Sequence, residues 1–236
     1  MNLRKLLLTN NECYIVGKKH KVRGIMVHST GANNPYIGRY VGPDDGMLNS
    51  STNNWNVFRP NNKQVCVHAF IGKLKDNSVA TYQTLPWDMV GWHSGTGYLG
   101  TVKNANNTGY IGFEICEDGL TDKDYFDRVY KEAVELCVYL CNEYKLNPLT
   151  DIICHSEGYQ KGIASNHADV MHWFPKFNKS MDIFRQDVNK LYIDLENRRI
   201  VQEKCGFDNN TMEFLDKHPY SNALYSKIVK AISQGK

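Results

Sequence analysis

Two short apolar runs in this chain each end in a histidine: Ile25-Met26-Val27-His28 and Ile152-Ile153-Cys154-His155. Runs of that length, rich in β-branched residues, read as strands. Two more runs join them, residues 64–72 (QVCVHAFIG) and 110–116 (YIGFEIC). The first of these leads into a hairpin whose turn falls at Asp76-Asn77. Between 110–116 and 151–155 lies the clearest helix, from Asp122 to Tyr144. Tyr125, Val129, Ala133, Leu136, Leu140 and Tyr144 recur there at helical spacing. Asp122 caps this helix and Asn147-Pro148 stops it. A further helix is expected at Met181–Leu195. Strands interspersed with helices place the chain in the α/β class, with one mixed central sheet flanked by helices.

The remaining stretches set the organisation. Residues 31–62 are rich in Gly, Asn, Pro and Asp and read as a long loop. Beyond Glu196 no β-rich run appears. Two helical patterns, around Thr211–Leu215 and from Ala223 to Ile232, predict a small helical appendage over residues 200–236, set off from a main domain over 1–195 by the charged run Glu196-Asn197-Arg198-Arg199. About forty residues bury little core alone, so these helices must pack on something, as a cap, a targeting element or a surface for self-association.

Composition narrows the function. Lys and Arg number 28 against 25 Asp and Glu, a formal charge of only +3, and no basic block occurs. That balance argues against a dedicated nucleic-acid binder, while allowing loose attraction to an anionic polymer. The seven cysteines are odd in number, include no Cys-x-x-Cys pair and sit largely in apolar runs, so reduced buried thiols are expected. The apolar stretch near the N-terminus, Leu6 to Leu8, is too short for a signal-peptide core, and no run approaches membrane-spanning length. Synthesis in the cytoplasm without a signal peptide is the expectation, with no membrane insertion.

Strand-end histidines brought side by side in one sheet can share a cation. Zn²⁺ in catalytic sites takes three protein ligands and leaves one position open. After His28 and His155, the segment SNHADVMHW offers His167, Asp169 and His172 as the third. Glu114 lies inside the apolar strand Ile111-Gly112-Phe113-Glu114-Ile115. A carboxylate there is costly to bury without a partner or a proton. Strand alternation puts it on the face of Gly112 and Cys116, opposite Phe113 and Ile115, where small neighbours suit a cleft floor and a general base.

These segments carry a resemblance. GIMVHSTG (24–31), VHAFIG (67–72), PWDMVGWHSG (86–95), NNTGYIGFEICEDG (106–119) and CHSEGYQKGIASNHADVMHWF (154–174) stand in the order seen in the type-2 N-acetylmuramoyl-L-alanine amidases. The chain resembles that family over roughly residues 23–190, and its wording is most similar to amidases of clostridial phages and prophages. The resemblance implies a zinc cleft on one face of a mixed sheet and one Zn²⁺ held by His28, His155 and Asp169. It implies Glu114 as the acidic catalytic residue and His167 as the group that stabilises the oxyanion. His68 and the pair Trp92 and His93 would lie near the substrate. Trp55, Trp87 and Tyr98 are further aromatic candidates for the groove. The implied reaction is hydrolysis of the amide between N-acetylmuramic acid and L-alanine in peptidoglycan, as in endolysins and autolysins, on a wall reached after release from the cell.

Departures from the family pattern bear on the third ligand. Asp169-Val170-Met171 stands where Asp-Pro-Gly is usual, and fourteen positions separate His155 from Asp169, so His167 or His172 remains an alternative. Val67 stands where some members have a tyrosine, and no tyrosine is assigned to catalysis. A zinc peptidase is disfavoured by the absence of His-Glu-x-x-His. A non-catalytic peptidoglycan-binding module and a muropeptide-recycling amidase are the remaining alternatives.

Overall fold

In the computed structural model the described residues are 1–42, 45–49, 53–59 and 65–235. Parts of the expected loop at 31–62, and residue 64 at the start of the expected second strand, lie outside them. Six strands form one sheet: β1 (Leu3–Lys5), β2 (Gly24–Ser29), β3 (Ala69–Lys73), β4 (Val79–Gln83), β5 (Tyr110–Ile115) and β6 (Ile152–Cys154). Their order is β1-β4-β3-β5-β2-β6. The β3–β4 pair is antiparallel and every other pair is parallel. The mixed α/β sheet expected from the sequence is thus present, with the short parallel edge strand β1 in addition. The hairpin turns where expected. Asn77 takes the left-handed conformation at φ 66°, and the Asp76 carboxylate accepts from the Ser78 backbone N–H.

The helices are α1 (Glu12–Val16), α2 (Ala105–Thr108), α3 (Lys123–Tyr144), α4 (His155–Gln160), α5 (Met181–Cys205), α6 (Asn209–Asp216) and α7 (Ser221–Ser233). Asp122 caps α3 by accepting from the Tyr125 N–H, and Lys145 closes it in the left-handed conformation. Among the described residues no helix is long and apolar enough to cross a membrane. Cys13, Cys66, Cys116, Cys137, Cys141 and Cys154 are buried thiols outside any disulfide, and Cys205 is an exposed one.

Strand alternation divides the sheet into two unlike faces. Ile25 and Val27 of β2, Ile111, Phe113 and Ile115 of β5 and Ile152 of β6 join Val129, Leu136 and Leu140 of α3 and Phe184 of α5 in one core. Each fully buried aliphatic side chain there contributes roughly 1.5–3 kcal/mol. The register sets Met26 against Gly112 and His28 against Glu114, so these residues share the opposite face. That face is covered by two smaller clusters. Phe70, Tyr82 and Cys116 pack with Tyr40 and Leu48, and Met26 and Ile153 pack with Ala105 and Ala164.

The C-terminal region departs from expectation at its boundary. The segment Glu196-Asn197-Arg198-Arg199 is not a linker, because α5 runs through it to Cys205. What changes along α5 is the partner. Met181, Phe184 and Val188 bury into the main core, whereas Val201 packs with Met212 of α6 and Tyr225 of α7 in a separate small core. Arg198 ties this unit together through Asp216 at 2.8 Å.

Candidate active site

Three donor atoms converge where the parallel strands end. His28 Nδ1 lies 3.1 Å from Asp169 Oδ2 and 3.0 Å from His155 Nδ1, and His155 Nδ1 lies 3.7 Å from Asp169 Oδ2. His28 is the last residue but one of β2, and His155 opens α4 directly after β6. Asp169 is brought in by the loop after α4, whose backbone carbonyl accepts from the Ser156 N–H. All three side chains are buried. Two imidazole nitrogens and a carboxylate oxygen pointed at one another need a proton or a cation between them. Donors set tetrahedrally at about 2.0–2.1 Å from a zinc ion stand roughly 3.3 Å apart, and the observed separations bracket that value. The residues therefore fit a metal ion. Among the described residues, His28, His155 and Asp169 form the group of this kind.

The alternatives for the third ligand lie elsewhere. His172 Nε2 pairs with Glu117 Oε1 at 2.8 Å, and the buried Glu117 also accepts from the Gly31 N–H. His167 stacks on His155 with ring centroids 4.6 Å apart. Its Nδ1 stands 4.0 Å from Asp169 Oδ1 with the side chain 61% exposed, which places it at the rim.

Glu114 faces this group across the floor of a cavity of about 910 Å³, which Glu114 and the three donor residues line. Its Oε2 is buried with no hydrogen-bond partner among the described residues. Burial pushes its carboxyl up from 4.5 to about 7, against the pull of His28. Burial works in the same sense on Asp169, but the neighbouring His28 and His155 hold that carboxyl below its usual value. Burial and the nearby His28 bring His155 down to about 4. In His28 burial is outweighed by Asp169 and Glu114, which raise it.

Among the residues expected to meet substrate, Trp55 and Trp92 line the cavity. Trp55 is braced edge-on by Tyr40 and Phe70. His68, expected near the substrate, does not line it: the side chain is fully buried. Its Nδ1 accepts from the Gly112 N–H at 3.0 Å and its Nε2–H donates to the Met89 carbonyl at 2.7 Å, so it staples the chain before β3 to β5. Burial depresses it to about 4. His93 borders the cavity, but both ring nitrogens are taken: Nδ1 by His28 Nε2 at 2.9 Å and Nε2 by the Tyr110 carbonyl at 3.2 Å. No ring nitrogen of His93 remains for substrate. Its ring rests on Gly112, where a Cβ would come within 2.4 Å of it, so the small residue on β5 makes room for His93 rather than for a ligand. Trp87 is a core residue, and the Tyr98 ring covers Gly162.

Sequence reasoning did not single out Ser94, Asn106, Glu117 or Ser165. Ser94, Glu117 and Ser165 lie in irregular segments and Asn106 in the short helix α2, none long enough for periodicity to mark them, and only the fold reveals what their oxygens face.

A buried pair of strand-end histidines, a loop aspartate and an unpartnered carboxyl in one cleft define an α/β protein with a cluster that could hold a metal ion at the carboxyl ends of parallel strands. The chain belongs to the N-acetylmuramoyl-L-alanine amidase family, whose profile matches residues 18–173. No curated protein matches it. Among solved structures, PlyL is similar with a TM-score of 0.53 and 18% identity, covering 80% of this chain and 96% of that one. The catalytic domain of XlyA has a TM-score of 0.51 and 20% identity, covering 80% of this chain and 99% of its own. The Staphylococcus aureus hydrolase AmiA, solved with its ligand, has a TM-score of 0.50 and 18% identity, covering 86% and 84%. At these identities the likeness is one of fold.

Proposed function

We propose that this chain is a zinc-dependent amidase that hydrolyses the bond between N-acetylmuramic acid and L-alanine in peptidoglycan, lysing the wall after its release from the cell that makes it. The observation that carries this reading is the convergence of His28 Nδ1, His155 Nδ1 and Asp169 Oδ2 in a cleft that also holds the unpartnered Glu114. A binding module that does not cut would need neither a complete donor set nor a base beside it.

His28, His155 and Asp169 would hold the ion and leave one position open. Zinc, when bound, supplies a Lewis acid that polarises the scissile carbonyl and acidifies water. Glu114 takes the proton of the attacking water and passes it to the leaving nitrogen of L-alanine; a carboxyl near neutrality serves both transfers. His167, at the rim beside Asp169, donates an N–H to the oxygen on which negative charge develops. Trp55 and Trp92 offer ring faces to the glycan or the peptide stem, and burial of those faces orients the amide over Glu114.

The test is metal stoichiometry alongside turnover. The purified protein is expected to carry one zinc per chain, to lose activity on chelation and to regain it with added zinc. Full turnover on muropeptide with no metal bound would refute zinc dependence.

A further inference from the structure

Both candidate ligand histidines present Nδ1 to the donor cluster, and each is tied at Nε2. The two ties lead to adjacent residues. The Tyr110 carbonyl can only accept, so His93 Nε2, 3.2 Å away, carries a proton. A neutral imidazole that donates from Nε2 has a lone pair on Nδ1. His28 Nε2, 2.9 Å from that lone pair, must then be the protonated nitrogen of His28. On the other side, the Ser165 hydroxyl donates its one proton to the Ser94 carbonyl at 3.2 Å. It therefore accepts from His155 Nε2 at 3.3 Å. In both histidines the proton sits on Nε2 and the lone pair on Nδ1 faces the cluster.

The turn that supplies both ties is itself fixed. Asn106 Oδ1 accepts from the His93 N–H at 3.0 Å, the Ser94 N–H at 2.9 Å and the Ser94 hydroxyl at 2.9 Å. Asn106 and Ser94 are buried. Gly112 leaves the space that the His93 ring fills.

We propose that the His93-Ser94 turn, clamped by Asn106, is a positioning element that locks both ligand histidines in the Nδ1-facing tautomer, with His93 acting on His28 directly and Ser94 acting on His155 through Ser165. This rests on the reading of the cluster as a zinc site. His93 contacts no substrate in this account. It acts by setting which nitrogen of His28 is available and how its ring is aimed, a kind of support whose loss typically costs 10–100-fold in metal affinity.

The variants are His93→Leu, which fills space without an acceptor, and His93→Asn, whose Oδ1 stands where Nδ1 stood. Zinc dissociation constants are measured by competition with a chromophoric chelator and expressed per folded chain. His93→Leu is expected to bind zinc about 10–100-fold more weakly, and His93→Asn to recover most of the loss. Unchanged affinity in His93→Leu, or equal loss in both variants, overturns the proposal. Should both variants fail to fold, nitrogen NMR of the zinc-loaded wild type decides: His28 and His155 protonated on Nε2 uphold it, and either ring protonated on Nδ1 overturns it. A wild type that binds no zinc overturns the zinc reading, and this inference with it.

Discussion

At the scale of single residues, the side chains that would hold zinc are distinct from the carboxyl that would move the proton. Replacing His28, His155 or Asp169 by alanine removes one of three converging donors, and zinc content and turnover are expected to fall together. His172→Ala should keep its zinc, since that ring is engaged by Glu117; the opposite pattern would move the third ligand to His172. Glu114→Gln should keep zinc and lose about 10²–10⁴ in kcat, the usual worth of general acid–base catalysis. The same carboxyl makes a pH prediction for the zinc-free protein. Its value rises from 4.5 to about 7 on folding, so the folded chain keeps a proton that the unfolded chain releases in that window. Stability from this group therefore falls as pH rises from 4.5 to about 7, by roughly 3 kcal/mol. Denaturant melts of zinc-free protein should show Glu114→Gln gaining on wild type across that range, and parallel pH profiles would mean the carboxyl titrates normally. His28, His155 and Glu114 could be singled out in the sequence because strand period and strand ends fix which side such residues face, whereas Asp169 lies in a loop and stood beside His167 and His172 until the family resemblance was added. His68 was not: its ring is consumed by the Gly112 N–H and the Met89 carbonyl, partners that belong to other segments and leave no mark near residue 68.

At the scale of elements, the sheet does the positioning. β2, β5 and β6 run parallel, and their register alone sets His28 beside Glu114. Gly112 shows how tight the next layer is. Gly112→Ala would drive a methyl within 2.4 Å of the His93 ring, and an overpacked site of this kind costs about 1–3 kcal/mol. The expected outcome is a lower Tm together with weaker zinc binding, and an unchanged Tm would show that His93 is free to move aside. Most elements were readable from period and caps: β2, β5, β6, the β3–β4 hairpin and α3 with its Asp122 cap. Two were not. β1 is only three residues, Leu-Arg-Lys, too short and too polar for a periodic signal. The charged run after Leu195 resembled a linker, yet Arg199 bridges Glu196 and Glu203 on successive helical turns, a pairing that favours helix.

At the scale of the whole molecule, one face of the sheet is sealed by α3 and α5 while the other carries the cleft, and the C-terminal unit stands on the far end of α5. Because α5 changes partners between Leu191 and Val201, a chain ending at Leu195 loses the small core entirely and keeps the main one. We expect it to hydrolyse soluble muropeptide like the full chain and to sediment less with purified sacculi, through loss of an outer surface on which Phe214 is 75% and Tyr220 72% exposed. Equal sedimentation and equal lysis would make the unit a structural cap. Purified sacculi digested with the full chain, with and without a zinc chelator, are scored for new amino termini and new reducing ends. The account predicts new L-alanine amino termini, no new reducing ends and no release once zinc is removed. New reducing ends, or amino termini that persist without zinc, would contradict it.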